Sequence, residues 1–194
     1  MLFRSGRHLL VIAAYAQSAM SKENTKEMAT LRDTALKLIT AIDADDLTGA
    51  KKLADSLSAK PKADPAAKTE PVPLHTHIDL ELVMRVFSSE RLGGYGLENE
   101  LGDLEESKGT PTAEQADKVM LMAYKMATVS ELAKAYVPDK DEPKGKTRKA
   151  WLGFAQQFRA NALALAETAR AKQEIGPAAR TLSKTCTACH DIFK

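Results

Sequence analysis

The chain has 194 residues, enough for one domain or two small ones with a sizeable core. Hydrophobic residues make up 44% and aromatics only 5%, with alanine, leucine and lysine abundant, which favours packed helices over sheets built from β-branched and aromatic side chains. The formal charge of +2, with basic and acidic residues alternating, argues against a nucleic-acid partner and for solvated helix faces.

Arg4 and Arg7 precede an apolar run from Leu9 to Ala16, and Ala14-Tyr15-Ala16 has the small-x-small form of a cleavage site. The run is short for a signal peptide, and the segment continues an amphipathic pattern. We therefore read a retained first helix from about Phe3 to Ala19. No apolar run approaches the ~18 residues of a membrane span. A second helix is predicted from about Glu23 to Asp43, with Met28, Leu31, Ala35, Leu38 and Ile42 at alternating steps of three and four. A third runs from about Leu47 to Leu57. From Lys60 to Thr76, Pro61, Pro65, Pro71 and Pro73 read as an extended linker.

A fourth helix is predicted from about His77 to Glu90, with Leu80, Val83, Met84 and Phe87 on one face. Gly93-Gly94-Tyr95-Gly96 ends it, and no Gly-Lys-Ser/Thr follows to make a phosphate loop. A polar loop is expected to Thr110. The fifth helix spans about Thr112 to Tyr136, with Val119, Met122, Met126, Val129 and Ala133 inward. After a charged connection, the sixth spans about Thr147 to Lys172, with Trp151, Phe154, Phe158, Ala162, Leu165 and Ala169 inward. Gly176-Pro177 opens a seventh that runs to the C-terminus, its stripe being Ile175, Ala179, Leu182, Cys186, Cys189 and Phe193. The chain thus divides into an N-terminal helical segment (1–58), a proline-rich linker (59–76) and a C-terminal helical domain (77–194). Sliding it by 127 positions sets Arg32, Ala35, Leu36, Leu38, Ala44 and Gly49 on identical residues at 159, 162, 163, 165, 171 and 176. Either two Ala/Leu-rich helical pairs are alike by composition, or the first segment is a degenerate repeat of the last.

Both cysteines of the chain lie in its last nine residues, Cys186-Thr187-Ala188-Cys189-His190-Asp191-Ile192-Phe193-Lys194. Cys-x-x-Cys-His is the pattern of covalent c-type haem attachment. Residues at i, i+3 and i+4 share one helix face, so two thioethers and an axial imidazole can meet one haem. A zinc site wants a fourth ligand, and His8, His75 and His77 are far off in sequence. A redox dithiol would sit in a βαβ context, and a disulfide between helical residues three apart is poorly oriented. A zinc-stabilised helical interaction protein stays open as an alternative. No nucleophile elbow, His-Glu-x-x-His or pair of carboxylates speaks for an enzyme.

The segment from Trp151 to Lys194 resembles the last two helices of class II c-type cytochromes, the cytochrome c′ group. The shared features are a Trp-x-x-Phe start to a long Ala-rich helix, a short turn, and Lys-Thr-Cys-Thr-Ala-Cys-His-Asp-Ile-Phe-Lys. The resemblance reaches weakly back to residue 77, and residues 1–58 depart from the single bundle of that family. It implies an all-α fold, a cytochrome c′-like four-helix bundle with an additional N-terminal helical segment. It further implies one haem c, with Cys186 and Cys189 as anchors, His190 as axial ligand and Lys194 near a propionate or the ring edge. Its function would be one-electron transfer between redox partner proteins, with a homodimer as a common assembly. Haem attached through thioethers is normally made outside the cytoplasm, so a periplasmic or otherwise exported protein is expected.

The position across the iron from His190 separates two functions. By resemblance, low-spin members place a methionine there from the first bundle helix, and high-spin members leave it open behind an apolar residue and bind small gases. If the predicted fourth helix takes that role, Met84 is the candidate ligand, with Val83 and Phe87 beside it; Met120, Met122 and Met126 are further candidates. Methionine also fills cores readily. An electron carrier and a five-coordinate protein that binds or senses NO or CO are therefore both expected readings.

Overall fold

The computed structural model describes residues 2–58, 62–77 and 79–194, with side chains from residue 8 onward except that of Ser58. Pro61 and the side chains of Arg4 and Arg7 lie outside the described residues. Those residues form eight α-helices and four short 3-10 turns, with no strand among them. The helices are α1 (Leu2–Ser18), α2 (Thr25–Asp43), α3 (Leu47–Ser58), α4 (Leu80–Met84), α5 (Leu97–Glu105), α6 (Ala113–Ala133), α7 (Arg148–Arg170) and α8 (Gly176–Phe193). The chain divides into two compact units, Met1–Val83 and Met84–Lys194.

In the first unit α1 packs along α2, and α2 against α3. Leu10, Ala13 and Ala16 of α1 and Ala29, Ala35 and Ile39 of α2 are buried, as small and branched side chains that let helices approach closely. One buried residue on α2 breaks the apolar rule. Arg32 is fully enclosed, and its guanidinium donates to the Glu70 carbonyl (2.8 Å) and the Lys68 carbonyl and pairs with Asp33 (2.7 Å). Lys26 donates to the Pro65 and Ala67 carbonyls, and the Val72 amide donates to Gln17 Oε1 at 2.8 Å. The proline-rich segment has no helix to satisfy its carbonyls, so side chains from α1 and α2 do so. It belongs to the first unit, whose boundary falls at Val83, past the linker read from the prolines.

In the second unit α6 packs along α7, and α8 lies against both α7 and α5. Its core joins Leu97 and Leu101 of α5, Val119, Met122 and Met126 of α6, Leu165 and Ala169 of α7, and Ala179 and Leu182 of α8. A capping box at Thr112 and Gln115 starts α6, and Thr147 caps α7. Two expectations change here. The predicted helix from His77 to Glu90 is broken: α4 ends at Met84, 3-10 turns cover Arg85–Phe87 and Glu90–Leu92, and Ser88 between them is extended. The Ser88 hydroxyl donates to the Arg85 carbonyl at 2.6 Å, a local bond that competes with helix continuation. The expected polar loop instead contains α5, which buries Leu97 and Leu101 and partly buries Leu104, spaced by four and three.

Helices α5 and α8 run antiparallel. Arg180 donates to the Glu105 carbonyl, and Gly176 lies so near Ser107 that a Cβ there would stand 2.6 Å from its carbonyl oxygen. The glycine at the start of α8 is what permits this approach.

The turns after α2 and α7 are the same motif at equivalent positions. Asp45 and, 127 positions on, Lys172 are left-handed, with φ of 55° and 52°. Asp45 N donates to the Ile42 carbonyl and Asp46 N to that of Ala41; Lys172 N donates to Ala169 and Gln173 N to Thr168. Both are Schellman endings, a place where glycine is usual.

A side chain at a left-handed position costs conformational energy that glycine avoids, partly offset by glycine's freedom in the unfolded chain. Asp45→Gly and Lys172→Gly should each therefore raise stability, by about 0.5–1 kcal/mol, read by denaturant unfolding. Gly176→Ala should lower it by about 1–3 kcal/mol through overpacking against Ser107.

Candidate functional site

Helix α8 opens with Pro177 in its first turn and carries the cysteine motif in its last two turns. Cys186 and Cys189 are half-buried and form no disulfide, and His190, on the same face, is exposed. The Cys186 thiol donates to the Leu182 carbonyl at 3.6 Å. Burial pushes this thiol from its ordinary 9.0 to about 11, with the neighbouring Cys189 and the carboxylates of Glu98 and Glu105 adding to the effect. Burial also raises the Cys189 thiol. Glu98 and Glu105 both belong to α5, so that helix borders the motif on one side.

On the other side stands α7. Phe193 meets Trp151 edge-to-face at 5.0 Å between centroids and Phe154 at 6.3 Å. The Trp151 indole donates to the Ala133 carbonyl at 2.9 Å, which ties the aromatic group to the end of α6. One to two turns further along α7, Phe158 packs edge-to-face with Phe87 at 5.9 Å, and Asn161 donates to the Thr185 hydroxyl at 2.8 Å. The Lys194 amide donates to the His190 carbonyl at 3.0 Å and closes the helix, its side chain exposed.

The other candidates from sequence are placed as follows. Met84 is half-buried at the last position of α4. Met122 and Met126 are buried in the core cluster, and Met120 is half-buried against it. His75 and His77 are exposed in the first unit. Sequence reasoning passed over Glu98, Glu105, Asn161 and Thr185. The leucine spacing of α5 was a usable signal for the first two; nothing local marks an asparagine or threonine as bonded across helices.

Two thiols and an imidazole on one helix face, with aromatic rings beside them, fit the chemistry of a covalent haem, which asks the protein for a single axial nitrogen on this side. Among the described residues no three His, Cys, Asp or Glu side chains are grouped to hold a bare metal ion. No described helix is long and apolar enough to cross a membrane. Comparison with known proteins finds no matching family model, curated protein or solved structure.

A thiol raised by two pH units holds about a hundredfold less thiolate at any pH below 9, and only the thiolate is alkylated readily. In haem-free protein, alkylation of Cys186 should be about two orders of magnitude slower than in the denatured chain at pH 8. Its rate should keep climbing with pH to about 11, as read by mass spectrometry of the labelled peptide.

Proposed function

We propose that this chain is a c-type cytochrome of class II type, an exported one-electron carrier for redox partner proteins. The observation that carries the reading is the complete Cys186-x-x-Cys189-His190 set on one face of the last helix, its thiols half-buried between α5 and α7. Cys186 and Cys189 would each add across one vinyl group, sulfur to one carbon and hydrogen to the other, with no leaving group. His190 would offer its imidazole to the iron, and Lys194 would stand near a propionate or the ring edge. A haem held in this way supplies one-electron chemistry between ferric and ferrous iron.

The four-helix bundle in this reading comprises α5, α6, α7 and α8. It is supported by the packing of α8 on α5 and α7 and of α6 on α7. Helix α5 replaces the segment from His77 to Glu90 as first helix. We read the first unit as a haem-less counterpart of the α6–α8 region, supported by the matching Schellman turns at Asp45 and Lys172.

A second reading, a five-coordinate protein that binds NO or CO, is favoured by the makeup of α5. The helix bordering Cys186 contains no methionine or histidine and contributes Leu97 and Leu101 to the core. Met84, the carrier's candidate sixth ligand, ends α4 and so lies outside the four helices of this bundle.

Protein exported alongside cytochrome maturation machinery should retain haem staining after denaturation, and Cys186→Ala with Cys189→Ala should abolish it. A colourless wild-type product overturns the haem reading. The ferrous spectrum then separates the two functions. A six-coordinate form converted to high spin by Met84→Ala marks the carrier, and rapid CO binding by a high-spin wild-type protein marks the gas-binding form.

A further inference from the structure

Three side chains of the second unit are buried and polar: Thr128, Ser130 and Thr185. Thr128 and Ser130 donate to carbonyls of their own helix, at Tyr124 and Ala127. Thr185 also donates within its helix, to Thr181 at 3.2 Å, but its oxygen accepts from Asn161 Nδ2 across the gap to α7. The residues that α7 and α8 give to the core cluster are all apolar: Ala162, Leu165, Ala166, Ala169, Ala179 and Leu182.

Apolar contact of this kind is non-directional and tolerates small rotations of one helix against another. A hydrogen bond does not, because it weakens steeply with angle. The start of α8 is set by the turn after α7 and by Arg180 on the Glu105 carbonyl. Thr185 lies about 14 Å along the axis from the first residue of the helix, so its bond holds α8 at a second level. It immediately precedes Cys186, and adjacent residues on a helix point about 100° apart. With Thr185 turned to α7, Cys186 is carried towards Glu98 and Glu105 of α5, and Cys189, three residues after it, shares its face.

We infer that the Asn161–Thr185 hydrogen bond is the positioning contact that sets the rotation of α8 about its axis at the level of Cys186, Cys189 and His190, and so aims the motif. The purpose rests on the haem reading; the geometry does not. The test uses the full chain, with and without haem attached. Asn161→Leu combined with Thr185→Val replaces both polar groups by apolar ones of similar shape and leaves no buried group unpaired. Thr185→Ser keeps the hydroxyl and is the rescue control.

In haem-free protein the single tryptophan, Trp151, reports on α8 through Phe193. The double variant should keep its far-UV helicity while Trp151 emission moves to longer wavelength, and Thr185→Ser should match wild type. In haem-loaded protein the double variant should alter the Soret circular dichroism band, again with Thr185→Ser unchanged. If the double variant does not fold, Thr185→Val alone is read by the same two signals. A folded variant with wild-type Trp151 emission and a wild-type Soret band overturns the inference and leaves the bond a purely structural one. A wild-type chain that takes up no haem overturns the haem reading alone, because Trp151 emission still decides whether the bond sets the rotation.

Discussion

Helix α8 is gripped from two sides, and the arrangement of the second unit follows from that. On the α5 side the grip is close approach of backbone to backbone, possible because Gly176 has no side chain to hold Ser107 away. On the α7 side it is an Ala/Leu surface, one hydrogen bond and a set of edge-to-face rings. Each contact is modest, but they act at opposite ends of the helix. Between them, Cys186 is held with its sulfur half-buried while His190 stays exposed at the last turn.

The first unit solves a different problem with similar helices. Its proline-rich segment has backbone carbonyls with no regular partner, and a fully buried guanidinium gathers two of them. A buried cation of this kind is tolerable only when its donors are satisfied and a counter-charge is close, and Asp33 supplies that charge. The turns at Asp45 and Lys172 close α2 and α7 with the same bonds in both units, each holding a non-glycine residue in the left-handed region. Position 32 differs sharply from its counterpart at 159. Arg32 is enclosed, whereas Arg159 is partly exposed and pairs with Glu131 at 2.6 Å.

Much of the helical layout could be read from periodicity. The stripes of α6 and α7 are carried by Val119, Met122, Met126, Ala162, Leu165 and Ala169, and all of these are buried. The reading failed where local chemistry outweighed pattern. Leu80, Val83, Met84 and Phe87 share a helical spacing, yet α4 ends at Met84, Ser88 is extended between two 3-10 turns, and the left-handed Gly93 closes the second of them. Helix α5 went unrecognised because four carboxylates in nine residues read as a loop, although Leu97, Leu101 and Leu104 carried the stripe. Arg32 gave no local sign of burial, since the carbonyls that enclose its guanidinium, those of Lys68 and Glu70, lie more than thirty positions away.

The motif was legible from the chain alone because its meaning is local: a helix places residues at i, i+3 and i+4 on one face whatever surrounds it. So was the all-helical character, which follows from composition and spacing. Only the tertiary structure could decide what stands beside the motif. That α5 borders Cys186, that Asn161 reaches Thr185, and that Phe193 lands on Trp151 each depend on pairs distant in sequence. Such pairs form when buried area and directional bonds are satisfied together, and no window of neighbouring residues contains that information.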